Sequence, residues 1–158
     1  MRSEHKNTKN ITIDDNEIAH FAKDSSQWWD EDGPFKPLHR LNPVRMHYIK
    51  EQICAHYDRD FNNLKSLHDL DIVDIGCGGG LVCESLARMG ANVTGIDADQ
   101  NAIETAISHA EQSNLDIHYI CDDAANLDKQ YDVVLALEII EHVSDITAFI
   151  QTCKNRLK

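Results

Sequence analysis

From residue 71 onward, hydrophobic positions alternate between the period of a buried strand and the period of a helix. Ile72, Val73 and Ile75 form a β-branched run broken only by Asp74, the pattern of a strand buried in a parallel sheet. Positions 81–89 then read as a helix, 92–96 as a strand, 100–113 as a helix and 117–121 as a strand. A further strand is predicted over 131–137, with a helix from about Asp145. Strand–helix–strand alternation with short connections predicts right-handed βαβ units and a parallel, doubly wound α/β sheet.

The region before this core has a different pattern. Residues 1–13 are polar and are expected to be a flexible, frayed terminus. Residues 14–70 read as a mostly helical extension, and 71–158 as the ligand-binding core. Within the extension, positions 14–32 hold seven acids and one lysine, whereas 33–50 hold Lys36, Arg40, Arg45 and Lys50 and no acid. All three prolines, Pro34, Pro37 and Pro43, fall in that basic stretch. Proline fixes φ and lacks an N–H, so 33–50 is expected to be a stiffened, extended loop reaching over a ligand. Trp28 and Trp29 just before it either close a lid or anchor a helix to the core.

Composition narrows the function classes. At 158 residues and 42% hydrophobic content, the chain is expected to be one domain with a substantial core. A net charge of −12 argues against nucleic acid as the main partner and against electrostatic capture by an anionic membrane. The five cysteines are scattered, without a C-x-x-C pair, and read as free thiols of a reducing cytoplasm. No signal-peptide pattern and no apolar run of membrane-spanning length is present.

The chemistry concentrates where the first core strand ends, in Asp74-Ile75-Gly76-Cys77-Gly78-Gly79-Gly80. Four glycines in five positions let the backbone turn sharply and let a ligand approach the main chain, with N–H groups exposed at the start of the next helix. The spacing is G-x-G-x-G; the dinucleotide fingerprint G-x-G-x-x-G would need glycine where Leu81 stands. Asp97, ending the second strand, is placed to accept from ribose hydroxyls. A purely structural turn and a nicotinamide-dinucleotide site remain as competing readings of the loop alone.

The acid-led glycine loop resembles the first motif of class I S-adenosylmethionine-dependent methyltransferases. Trp28-Trp29-Asp30 and Phe35-Lys36-Pro37-Leu38-His39-Arg40-Leu41-Asn42-Pro43-Val44-Arg45, taken with the loop, closely resemble the ubiquinone-biosynthesis O-methyltransferase family over residues 14–158. That resemblance implies a Rossmann-like class I methyltransferase fold with S-adenosyl-L-methionine as cofactor. It also implies direct methylation of a catechol-type hydroxyl on a polyprenylated ring, of the 3-demethylubiquinol or 2-polyprenyl-6-hydroxyphenol type. Arg45 is implied for the methionine carboxylate, Gly76 and Gly78 for the loop contact, Asp97 for the ribose, Asp123 for the adenine and the Leu137 carbonyl for the methionine amino group. Contact with the inner membrane and with other quinone-biosynthesis proteins is implied as well, giving a cytoplasmic, peripherally membrane-associated enzyme. The family's sheet continues beyond a fourth strand, so the chain is expected to be C-terminally truncated. A cofactor-binding module without turnover, or a methyltransferase for another small molecule, is the alternative.

Leu137-Glu138-Ile139-Ile140-Glu141-His142 follows the last core strand. If a helix begins there, Glu138, Glu141 and His142 share one face at i, i+3 and i+4. Three readings stay open: these residues hold Mg²⁺ that lowers the pKa of the phenolic substrate; His142, with Glu141, acts as the general base; or the Glu-His pair only caps and orients the helix.

Overall fold

A computed structural model describes residues 24–158. The expected frayed segment 1–13, and the start of the helical extension through residue 23, lie outside the described residues. The first regular element is a short 3₁₀ turn, Ser25–Gln27. It leads into helix α1 (Lys36–His56), then β1 (Asp71–Ile75), α2 (Leu81–Arg88), β2 (Asn92–Asp97), α3 (Gln100–Gln112), β3 (His118–Cys121), β4 (Val133–Ala136) and α4 (Ile146–Asn155).

Among the described residues the strands form one sheet in the order β3-β2-β1-β4, every pair parallel. Ile72 pairs with Val93 on one side and Val133 on the other, so β1 is central. The order reverses beside β1, because β2 and β3 lie to one side and β4 to the other. That is the switch point at which open α/β sheets bind ligands. The doubly wound parallel fold expected from the hydrophobic periodicity is what the chain adopts.

Strand alternation divides the core between the two faces of the sheet. Ile72 packs with Met46, Ile49 and Ile53 of α1 and with Val82 and Leu86 of α2. Val73 and Ile75 face the other way, onto Ile96, Tyr131 and Phe149. Asp74 shares the Ile72 face and is 3% exposed, a carboxyl group set into the apolar layer beneath α1 and α2.

The structure corrects the reading of 33–50 as an extended loop, because Lys36–His56 is a continuous helix. Pro37 occupies its first turn, where no intrahelical N–H bond is lost and the fixed φ suits the helix. Pro43 lies inside and does forfeit a bond to the preceding turn. The helix persists because Met46, Ile49 and Ile53, spaced three and four apart, bury one face against the sheet. Tertiary burial outweighs the local propensity of a single proline.

A second correction concerns residues 138–142. No regular helix begins at Glu138; its φ is +52, left-handed, and only a 3₁₀ turn over Ile140–His142 follows. The regular helix, α4, starts at Ile146, capped by Asp145 accepting from the Ala148 N–H at 3.0 Å. Tyr131, expected within the fourth strand, instead makes an isolated bridge to Leu157.

Candidate functional site

At the carboxyl ends of the strands lies a cavity of about 520 Å³. The strand ends and the loops after them contribute in turn: Gly76 to Gly78 after β1, Asp97 at the end of β2, Asp122 and Asp123 after β3, and Leu137 to His142 after β4. Arg45 of α1, with Trp28 and Phe35 ahead of it, supplies the remaining wall. Arg45, Gly76, Gly78, Asp97, Asp123, Leu137, Glu138, Glu141 and His142, singled out on sequence grounds, all line this one cavity.

The glycine loop is held in place from the neighbouring strand. The N–H groups of Gly76 and Cys77 both donate to the Ile96 carbonyl, at 2.8 and 3.1 Å. The N–H of Gly78 donates to Asp97 Oδ2 at 2.8 Å, and the Asp99 N–H to the other oxygen, Oδ1, at 2.9 Å. Gly76 and Gly78 carry φ of +76 and +52, left-handed values that favour glycine. Asp97 is thereby fixed at the loop's edge with lone pairs to spare. Burial pushes its pKa up, against the pull of its backbone hydrogen bonds.

Two more carboxylates are set close by. Asp123 caps a short 3₁₀ turn, accepting from the Ala125 N–H at 2.8 Å, while Asp122 accepts from the Asp123 N–H at 2.7 Å. Beneath the loop, burial raises Asp74 to about 7, partly opposed by the Arg45 guanidinium. Asp74 Oδ2 also accepts from the Cys83 thiol at 3.7 Å. Burial also keeps Cys77 protonated, raising its pKa well above the ordinary thiol value, so this loop thiol is a small side chain and not a nucleophile.

Arg45 stands at the junction of these groups with its side chain 14% exposed. Nη1 lies 3.7 Å from Glu138 Oε2, and Nη2 donates to Asn42 Oδ1 at 3.5 Å. Nε is buried with no partner. Glu141 Oε1 and His142 Nε2 are 3.9 Å apart at the cavity edge.

The shared helical face expected of Glu138, Glu141 and His142 does not exist, because the left-handed Glu138 turns toward Arg45. Among the described residues no group of three His, Cys, Asp or Glu side chains is placed to hold a metal ion. As placed, these three side chains are not gathered about one point as a Mg²⁺ ligand set.

The two tryptophans take different places against the glycine loop. The Trp29 Nε1–H donates to the Gly79 carbonyl at 2.9 Å, and its ring stacks on His109 of α3 at 3.5 Å. His109 in turn meets the buried Glu84 of α2 at 2.6 Å. Trp29 is thus an anchor. Trp28 is the cover: its ring lies against Gly78 and Gly79 so closely that a side chain at either position would collide with it. The glycines are needed for this aromatic contact as well as for the turn. Asp99 also lines the cavity but drew no functional weight in the sequence, where it reads as an ordinary helix cap; Phe35 and Asp74, which line it too, entered only as parts of the motifs that carry the resemblance.

A family model described as a methyltransferase domain matches residues 73–158. The ubiquinone biosynthesis O-methyltransferase of Brucella ovis is 48% identical over 154 residues, covering 96% of this chain and 62% of that protein. The protein of the same name from Bartonella bacilliformis is 48% identical over 155 residues, with the same shares covered. The chain therefore spans somewhat less than two thirds of these relatives' length. Among solved structures, magnesium protoporphyrin IX methyltransferase from Synechocystis with bound SAM superposes with a TM-score of 0.69 at 23% identity, covering 94% of this chain and 74% of that one. A plantazolicin methyltransferase in complex with a substrate analogue and SAH superposes at 0.60 and 20% identity, over 90% and 57%. Both structural likenesses speak for the fold.

Proposed function

Since this chain belongs to the methyltransferase-domain family, we propose that it is the cofactor-binding part of an S-adenosylmethionine-dependent O-methyltransferase of ubiquinone biosynthesis. The acceptor in this reading is a catechol-type hydroxyl on a polyprenylated phenol or quinol. One observation supports it most: Asp97, fixed by the Gly78 N–H at the end of β2, shares a cavity with the half-buried Arg45. A carboxylate beside a glycine turn and a guanidinium lining the same cavity suit a ligand carrying both ribose hydroxyls and a carboxylate. A nicotinamide dinucleotide would call for glycine at position 81 and a phosphate site there; Leu81 offers neither.

In this assignment Arg45 takes the methionine carboxylate and the Gly76–Gly78 backbone lies along the amino-acid part. Asp97 accepts from the ribose, Asp123 recognises the adenine, and the Leu137 carbonyl accepts from the methionine amino group. The cofactor supplies an electrophilic methyl group on a sulfonium. His142, aided by Glu141, withdraws the proton of the acceptor hydroxyl as that oxygen bonds to the methyl carbon. The carbon–sulfur bond breaks in the same step and leaves S-adenosylhomocysteine. A phenol with pKa near 10 needs such a base at neutral pH. Catalysis rests on alignment and deprotonation. The apolar tail of the acceptor places the enzyme in peripheral contact with a membrane. Among the described residues no helix is long and apolar enough to cross one.

Calorimetric titration of the chain with S-adenosylhomocysteine tests the cofactor assignment. Micromolar binding that Asp97→Ala weakens by tenfold or more is expected. No heat at millimolar ligand, in a chain shown to be folded by circular dichroism, would overturn it.

A further inference from the structure

We propose that His109 is a positioning residue for the cofactor. Fixed by the buried Glu84, its ring holds Trp29 on the Gly79 carbonyl and so keeps the glycine loop in the arrangement that receives S-adenosylmethionine. The inference deepens the reading of the cavity as an S-adenosylmethionine site and rests on it.

Trp29, Glu84 and His109 all stand outside the cavity lining, so none of them acts by touching the ligand. They form a closed series of contacts behind the loop. The Trp29 Nε1–H donates to the Gly79 carbonyl at 2.9 Å. The Trp29 ring stacks on His109 with centroids 3.5 Å apart and planes 1° off parallel. His109 Nδ1 is 2.6 Å from Glu84 Oε1, and the Glu84 N–H returns to the Gly80 carbonyl at 2.9 Å. The segment before α1, the first turn of α2 and the end of α3 are thereby tied to the consecutive glycines 79 and 80.

Glu84 is the telling member of the series. Its side chain is 3% exposed, among the buried Val82, Cys83 and Leu86 of the same helix. Burying an acid there costs desolvation, and an apolar side chain of similar volume often serves a fold at least as well. Arg88 Nη2 donates to Oε2 at 3.1 Å, which leaves Oε1 to His109. With both Glu84 oxygens accepting, the imidazole proton that faces them is on Nδ1, and the bond fixes both the tautomer and the plane of the ring. Setting the plane on which Trp29 rests is what Glu84 does and a leucine could not. The neighbouring Trp28 ring covers Gly78 and Gly79, and the Gly78 N–H is the one that holds Asp97 at 2.8 Å. A loop fixed at Gly79 and Gly80 therefore presents Gly78 and Asp97 to the ligand in one arrangement.

His109→Asn separates the two contacts. The asparagine amide offers an N–H where Nδ1 stands, so Glu84 keeps a donor, but there is no ring for Trp29 to rest on. Calorimetric titration with S-adenosylhomocysteine should show His109→Asn binding about tenfold more weakly, with the loss appearing as faster dissociation in stopped flow. Its melting temperature should stay within about 3 °C of the unaltered chain. In a chain already carrying Trp29→Leu, which has no indole to hold, His109→Asn should add less than about twofold. Equal affinity of His109→Asn and the unaltered chain overturns the proposal. So does a full tenfold loss on top of Trp29→Leu, because His109 would then not act through the indole. Should His109→Asn melt well below the unaltered chain, Ile53→Val, a core change remote from the cavity, serves as the reference. Affinity lowered as much by Ile53→Val makes the effect one of stability and overturns the proposal; affinity kept by Ile53→Val upholds it. If the unaltered chain itself binds no S-adenosylhomocysteine, the methyltransferase reading fails and takes this inference with it.

Discussion

Asp74 shows how a single side chain can serve a site and burden the fold at once. It sits on the apolar face of the central strand, 3% exposed, and burial lifts its pKa to about 7. The ordinary carboxylate value is 3.8, so between these two pH values the native state holds a proton that the unfolded chain has released. Its contribution to stability is complete below about pH 4 and is lost as the pH rises toward 7. Asp74→Asn removes that dependence. Denaturant midpoints measured from pH 4 to 8 should fall with pH more steeply for the unaltered chain, and the variant should be the more stable by about 1 kcal/mol or more at pH 8. Parallel profiles would mean that Asp74 is as easily ionised in the fold as out of it. The acid's position just before the glycines was visible in the sequence. Its burial beneath α1 and α2 was not, because a lone acid in a strand pattern looks the same whether it faces solvent or core.

At the scale of elements, legibility followed periodicity and failed where local chemistry spoke against it. The β1–α2–β2–α3 run was readable because alternating two- and 3.6-residue periods coincide with glycine and aspartate punctuation. The stretch 33–50 was misread because three prolines outweighed a weaker signal, the Met46, Ile49, Ile53 spacing that buries the helix. The turn at 138–142 was misread because Glu138, Glu141 and His142 match a helical face, while the left-handed Glu138 is invisible to a spacing rule. Yet the candidate residues still met in one cavity, since all but Arg45, which α1 supplies, stand at or just beyond a strand end, whatever the conformation between. Pro43 offers a direct check on α1. If burial holds this helix against a proline, Pro43→Ala restores an N–H to the helix without touching the buried face. The expected result is a gain of about 1–3 kcal/mol, read as a melting temperature raised by several degrees. A lower melting temperature would show that the proline ring itself contributes packing, in the way Met46 and Ile49 do.

For the molecule as a whole, the cavity gathers what every part of the chain supplies: an arginine and an aromatic cover from the N-terminal region, and glycines and acids from the strand ends. Ligand binding should therefore stabilise the entire cooperative unit and not one loop. Saturation at a hundredfold excess over Kd raises stability by about 2.7 kcal/mol, because a ligand that binds only the folded state shifts the equilibrium by mass action. For a chain of 158 residues this corresponds to a melting temperature higher by roughly 5–10 °C with S-adenosylhomocysteine. Melting of the chain with Mg²⁺ and no other ligand tests the metal reading of Glu138, Glu141 and His142. With Glu138 paired to Arg45 at 3.7 Å and no three-ligand group among the described residues, the melting temperature should be the same in EDTA and in millimolar Mg²⁺. A melting temperature raised by Mg²⁺ and restored by EDTA would require Glu138 to leave Arg45, and would return these residues to the role of metal ligands. An unchanged one leaves Glu138 as the partner of Arg45 and His142 as the proposed base.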